Sequence, residues 1–397
     1  MLNEHRFEAP VIHVVSESPR LEMLQTRLRH AGLRPVPVRG TYLPPDSAPA
    51  LIDVLTRQNT LDGLENRLIV TIGKTNRTPA LSHIHLTDVS QIESLPARLA
   101  IRQREIQRQR EIDLRARTAQ RLGAQAESAA PSRLARLLWL GQDAPFLNAI
   151  KSGLGAGNVS LVAAISRLTA EDYLASGDFQ SLVLCPAAAN DEAARLLRSA
   201  KNLDVATLPR VILLLRPELA GQLASADIAQ ADEIIDLTTD LEQVAMRLHD
   251  VAIDAARALE AAAQPALIVG DHATGLAARE YLESHLQAQM EQADALALPL
   301  SVIAFSVANG EDMRALAQVI TPLLRETDLA ARLDSQHICL TLPDTNYRGA
   351  VVLARRIEES VSKPMDWRVI ERRQFHTLKT LLGGLTARSP FSKQKSA

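Results

Sequence analysis

Short apolar runs alternate with longer stretches whose apolar residues recur at helical spacing, the pattern of strands connected by helices. VIHVV (11–15) is the first such run, followed by SPRLEMLQTRLRHAG (18–32), with Leu21, Leu24 and Leu28 on one face and a glycine stop. RPVPV (34–38) is the next strand; the pattern then blurs through YLPPDSAPA and returns as RLIVTIG (67–73) and IHLTD (84–88). Between them, ALIDVLTRQ (50–58) reads either as a third strand or as a helix carrying Asp53 as a solvated surface charge, and the helical reading is preferred.

From Val89 to about Leu122 the text is helical, and its second half is highly charged with few apolar anchors: Ile101, Ile106, Ile112 and Leu114. This predicts a solvated helical extension joining domains. A helix packed on a second chain is the alternative, although the apolar spacing is too irregular for a heptad seam. GAQAESAAPS (123–132) reads as a linker. Beyond it, ARLLWLG (135–141), NVSLVAAIS (158–166), SLVLCPAAA (181–189), RVILLLR (210–216) and EIIDL (233–237) are strands separated by helical segments, and a long helix spans 240–263. Five strands alternating with five helices predict a parallel sheet covered on both faces.

At 397 residues the chain exceeds one typical domain. Hydrophobic residues make up 46% but aromatics only 3%, so the cores are built from Leu, Val, Ile and Ala. Formal net charge is −2, from 44 basic and 46 acidic residues, which gives no electrostatic case for nucleic acid or an anionic membrane as a partner. Cys185 and Cys339 sit in apolar strand-like runs, where free cysteines behave as small buried hydrophobes, and two cysteines provide no metal framework. MLNEHRFEAP lacks the charged start and apolar core of a leader, and no run approaches the ~18 apolar residues of a membrane span. The expectation is a soluble cytoplasmic protein with no membrane insertion.

The order of the second unit resembles a receiver domain, and the last third adds more specific phrases. Asp271-His272-Ala273-Thr274-Gly275-Leu276-Ala277-Ala278-Arg279 resembles the D-x-(L)-T-G-L-x-N-R opening of GGDEF domains, with Ala278 where Asn is usual. RETDLAARL (325–333) and ICLTLPDTNYRGAVVLARRIEESV (338–361) continue the likeness, which spans about residues 266–361. The chain as a whole therefore resembles PleD/PopA-type response regulators. The resemblance implies an α/β fold class: two flavodoxin-like (doubly wound) receiver domains, at 1–122 (with the helical extension) and 133–264, followed by a degenerate, truncated GGDEF (nucleotidyl-cyclase-like) domain at 265–397.

Against the family, the receivers lack acidic residues. The first acidic pair is reduced to Ser16-Glu17, the second to Gly141-Gln142-Asp143; Cys185-Pro186 stands where the second acceptor aspartate would be, and Thr87-Asp88 where the first receiver's lysine would be. Phosphoryl transfer to a receiver needs carboxylates that hold Mg²⁺, so both units read as docking modules. Asp53 is a phosphoacceptor only under the strand reading of 50–53.

The cyclase reaction needs carboxylates for two metal ions and a glycine turn that lets backbone approach phosphate. Here Ser306 and Ala308 stand at the metal positions and Asp334-Ser335-Gln336-His337-Ile338 replaces the signature hairpin. Residues 309–324 are about half the family's length for that stretch, and the tail lacks the family's closing strand and helix. These departures imply no catalytic residues, no metal and a chain that is not an enzyme.

The family's inhibition-type R-x-x-D site is matched by Arg325-Glu326-Thr327-Asp328, with Arg356 from the following helix. Arginine forks bind phosphate bidentately and stack on guanine, while an aspartate accepts from the guanine N1–H and N2–H₂ edge. Arg332 and Arg355 read as framework or solvated residues. The implied ligand is cyclic di-GMP. The implied role is an adaptor that localises at a cell pole and delivers a cell-cycle regulator to the ClpXP protease, with homodimerisation through the receivers. Two alternatives are a nucleotide-independent scaffold, in which Arg325 and Asp328 pair only with each other, and a phosphorylation-driven response regulator using Asp53.

Overall fold

The apolar runs become the strands of three sheets. A computed structural model of the chain describes residues 9–16, 19–38, 42–44, 48–54, 67–73, 83–123, 134–141, 144–154, 158–203, 208–237, 240–263, 270–361 and 365–386. Two compact units emerge, residues 1–105 with 129–260, and residues 106–128 with 261–397. The linker expected at 123–132, apart from Gly123, and the positions Glu17, Gln142 and Asp143 lie outside the described residues.

The first unit contains two parallel sheets. One is built from β1 (Val11–Val15), β2 (Arg34–Pro37), β3 (Ala50–Asp53), β4 (Ile69–Ile72) and β5 (Ile84–Leu86), in the order β2-β1-β3-β4-β5. Helix α1 (Leu21–His30) connects β1 to β2 and buries Leu24 and Leu28, two of its three anchoring leucines. A 3₁₀ turn at Val89–Ser94 then leads into α2 (Leu95–Arg121).

The other sheet comprises β6 (Ala135–Leu140), β7 (Val159–Ala164), β8 (Ser181–Leu184), β9 (Arg210–Leu215) and β10 (Glu233–Asp236), in the order β10-β9-β8-β6-β7. Counted from its own first strand, each sheet has the doubly wound order 2-1-3-4-5. The continuous apolar runs of the second sheet follow from burial on both faces. Leu138, Leu140, Leu182, Leu184, Val211 and Leu213 enter one core. Their alternating neighbours Leu137, Trp139, Val183, Ile212 and Leu214 enter the other. Helices α4 (Arg167–Ser176) and α5 (Glu192–Ser199) cover the first face. The second lies under α3 (Ala144–Leu154) and α7 (Leu241–Ala263), while α6 (Ser225–Ile228) is a single turn.

The second unit is built on an antiparallel sheet of β11 (Leu300–Ser306), β12 (Leu329–Arg332), β13 (His337–Pro343) and β14 (Asp366–Glu371), in the order β12-β13-β11-β14. On one face Ile303, Phe305, Leu340 and Leu342 pack under α9 (Gly310–Ile320) and α10 (Tyr347–Ser360). On the other, Val302, Ala304 and Cys339 meet α8 (Arg279–Leu296) and α11 (Leu378–Thr386). Caps define the helix starts: Asn309 accepts from the Glu311 and Asp312 amides, and Asn346 from Gly349.

Three expectations are corrected. Residues 50–53 form a strand, fully buried between β1 and β4, and Asp53 is 0% exposed rather than solvated. The tail does contain a closing strand and a helix. β14 pairs with β11 from Ser301 to Ser306, and α11 buries Leu381, Leu382 and Leu385. DWRVIE is a partly exposed edge strand, so its polar positions hide the strand pattern. Finally, α2 is no simple solvated extension, because Arg98, Glu105, Glu111 and Thr118 are all buried. Charge alone misleads there: buried ionic groups read like a solvated face until their partners are known.

Both cysteines are free and buried, as their apolar context predicted. No helix among the described residues is long and apolar enough to cross a membrane.

Candidate functional site

The R-x-x-D segment lies between the 3₁₀ turn Thr321–Leu323 and β12. It closes on itself. The Asp328 amide donates to the Arg325 carbonyl at 3.0 Å, and the Arg325 amide donates to Asp328 Oδ2 at 2.9 Å. The carboxylate thus ties the turn that presents Arg325. Arg325 is exposed, and its guanidinium has no hydrogen-bond or ion-pair partner among the described residues. Asp328 is only 7% exposed, and its Oδ1 is buried with no hydrogen-bond partner among the described residues. Burial pushes the carboxyl above the ordinary aspartate range, against the Arg325 amide bond and the charges of Arg325 and Arg115.

Arg356, on α10, donates through Nη2 to the Leu323 carbonyl at 2.8 Å. That bond brings the third expected residue to the same turn, two residues before Arg325. Arg332, expected as framework, donates to Asp271 Oδ1 at 2.9 Å and to the Asp334 carbonyl at 3.2 Å. Arg355 is exposed.

Beneath the turn lies a polar network that the sequence reading missed. Glu111 on α2, 4% exposed, accepts from Arg115 Nε at 2.7 Å and Gln289 Nε2 at 3.2 Å, and lies 2.8 Å from Nε2 of the fully buried His285. Thr118 commits its hydroxyl proton to the Leu114 carbonyl, so its oxygen is left as an acceptor 3.2 Å from His285 Nδ1. Both ring nitrogens of His285 therefore face acceptors. Tyr281 stacks on that ring at 5.5 Å, and burial pushes its hydroxyl up to about 12. Burial also pushes Glu111 up, but the His285 and Gln289 bonds and the charges of His285 and Arg115 together hold it below the usual glutamate range. The last link is Arg115 Nη2, which donates to the Asp328 carbonyl at 3.0 Å. The available signals were the i,i+4 pairs Glu111/Arg115 and His285/Gln289, which are common on solvated helices and so went unread.

The opening motif of the domain is structural. Asp271 Oδ2 accepts from the Thr274 amide and hydroxyl, Gly275 adopts φ of +74°, and Ala277 bridges to Ala331. In the signature hairpin, Asp334 accepts from the Gln336 amide at 2.7 Å and lies 2.9 Å from His337 Nδ1, while Ser306 at the end of β11 faces His337. Ser306 and Ala308 do not by themselves fit a divalent ion. Among the described residues, no three His, Cys, Asp or Glu side chains cluster as a metal site.

In the first unit, Asp53 ends β3 and accepts from Ser16 Oγ at 3.2 Å, just beyond the end of β1. Cys185 follows β8 and is buried; Thr87 and Asp88 follow β5, where Asp88 caps the 3₁₀ turn.

Residues 268–379 match the family described as "Diguanylate cyclase, GGDEF domain", so a GGDEF domain occupies the C-terminal part of the chain. The match runs past the 266–361 segment of the sequence likeness and takes in β14 and the start of α11. No curated protein matches the chain. Among solved structures, the diguanylate cyclase SiaD of Pseudomonas aeruginosa, crystallised with its activator SiaC, is 22% identical with a TM-score of 0.28; the match covers 36% of this chain and 64% of that one. The chain thus spans less than two thirds of SiaD. The GGDEF domain of DgcB from Caulobacter crescentus, in complex with c-di-GMP, is 14% identical with a TM-score of 0.27, covering 29% and 83%. The active GGEEF domain of a Vibrio cholerae diguanylate cyclase is 17% identical with a TM-score of 0.24, covering 26% and 82%.

The family match overturns one expectation. The chain was expected not to be an enzyme, yet its C-terminal domain falls in a family described by cyclase activity, which suggests a cyclase.

Proposed function

We propose that the GGDEF domain binds cyclic di-GMP through Arg325, Asp328 and Arg356, and that the chain is a cyclic di-GMP-responsive signalling protein acting through protein partners. The observation that carries this reading is Asp328 Oδ1, a buried acceptor with no partner among the described residues, in the same turn as Arg325, whose guanidinium has no hydrogen-bond or ion-pair partner among them either. An unsatisfied buried acceptor costs about 1–3 kcal/mol, and a guanine N–H edge would satisfy it. The scaffold alternative has less support. Asp328 takes the backbone amide of Arg325, and no ion pair joins the two side chains.

Calorimetric titration of the full chain with cyclic di-GMP tests the reading, and saturable binding is expected; absence of binding refutes it. The titration should also depend on pH. Asp328 accepts guanine donors as the carboxylate, and burial raises its pKa in the free protein. Affinity is then full above that raised value and falls as pH drops through it, beginning above the ordinary aspartate range. The charges facing the carboxyl are Arg325, Arg115 and Glu111. A flat pH profile would place the guanine-reading role elsewhere.

A second reading concerns the first unit. We infer that both parallel sheets are receiver domains, which with the GGDEF domain make three, and that Asp53 is a phosphoacceptor. The doubly wound order puts its switch point between β1 and β3, where ligands of such sheets bind, and Ser16 and Asp53 meet there. Incubation with acetyl phosphate and Mg²⁺ should add one phosphoryl group, read by intact mass, and Asp53→Asn should remove the gain. An unchanged mass in the native chain would refute this reading.

A further inference from the structure

The helix α2 lies outside the matched family domain, yet its second half packs in the same compact unit. Two of its contacts reach loops of the GGDEF domain. Arg115 bonds the Asp328 carbonyl, and Asp344, after β13, takes a hydrogen bond from Gln107 and feels the charge of Arg110. Arg115 is itself oriented by Glu111, which is anchored to His285 and Gln289 on α8.

We propose that Arg115 is a positioning residue of the cyclic di-GMP site: α2 holds the turn 325–328 in its binding geometry, and occupancy of the site is coupled to docking of α2 on α8. The inference rests on the reading of Arg325, Asp328 and Arg356 as the ligand site. The physical reason is the arrangement of bonds around Asp328. Among the described residues its carboxylate is hydrogen-bonded to the Arg325 amide alone, so the rest of the turn's placement falls to backbone contacts. The Arg115 guanidinium supplies a charge-assisted bond to that backbone while its Nε stays on Glu111. A fork that satisfies two acceptors at once cannot be replaced by an ammonium. Linkage makes the effect reciprocal: if docked α2 favours the ligand, the ligand favours docked α2 by the same factor.

The test uses the full chain, cyclic di-GMP titration, and amide hydrogen exchange of residues 106–121 with and without saturating ligand. Arg115→Ala is expected to weaken binding about ten-fold. Arg115→Lys should recover less than half of that loss on a logarithmic scale, and in the native chain the ligand should slow exchange in 106–121. In Arg115→Ala that ligand-induced protection should be lost, and the Asp328 amide should exchange faster without ligand. Circular dichroism checks that the variants are folded; if Arg115→Ala is not, Arg115→Lys carries the test alone. Equal affinity in the native chain and the folded variants, or α2 exchange indifferent to saturating ligand, overturns the coupling while leaving the ligand site intact. Absence of binding to the native chain instead overturns the ligand reading and the coupling together.

Discussion

Glu111→Ala is expected to cost about 3–5 kcal/mol of stability in the C-terminal unit, the range for removing one partner of a buried ionic pair. The side chain serves three donors on two helices, from Arg115, Gln289 and His285. Truncation leaves the fully buried His285 and the 2% exposed Gln289 without the acceptor they face. Glu111→Gln preserves the shape and one acceptor and should cost less. The pH dependence separates charge from packing. The folded-state pKa of Glu111 is depressed, so its stabilisation is present above the ordinary glutamate value and is lost as pH falls through the depressed one. Urea unfolding across that acid range should therefore show a steeper loss in the native chain than in Glu111→Gln. A cost under about 1 kcal/mol for Glu111→Ala would mean that apolar packing, and not this network, holds α2 to α8.

Arg325→Ala is expected to abolish measurable cyclic di-GMP binding, and Arg325→Lys to fail nearly as completely. Arg325 is exposed, and its guanidinium makes no bond within the described protein, so truncation removes ligand contacts without breaking the fold. A charge-assisted bond contributes roughly 1.5–3 kcal/mol, which corresponds to ten-fold or more in affinity. Lysine keeps the charge but offers neither a bidentate fork nor a stacking plane. Arg332→Ala should act differently. Arg332 pairs with Asp271, whose carboxyl partial burial pushes up but the Thr274 and Arg332 bonds hold low. Its loss should lower stability and leave affinity little changed. If Arg325→Ala binds as tightly as the native chain, the ligand sits elsewhere.

The alternation of strands and helices is legible in the sequence alone. Runs such as RVILLLR and SLVLCP, alternating with helical segments, point to strands buried on both faces, and the parallel sheet over residues 135–236 follows from that alternation. For Arg325-x-x-Asp328 the sequence offered a pair of side chains; the structure instead bonds the Asp328 carboxylate to the Arg325 amide. The tertiary structure decided the rest. ALID has no periodicity that separates a helix turn from a strand, and only pairing with β1 and β4 buries Asp53. DWRVIE shows its strand identity only against β11. Most of all, the charges of α2 were uninterpretable in sequence. Besides each other, the partners of Glu111 and Arg115 lie more than a hundred residues away, on α8 and at Asp328. Local pattern specifies backbone conformation through nearest-neighbour sterics and solvation, whereas the meaning of a buried charge depends on which distant group neutralises it, and only folding brings the two together.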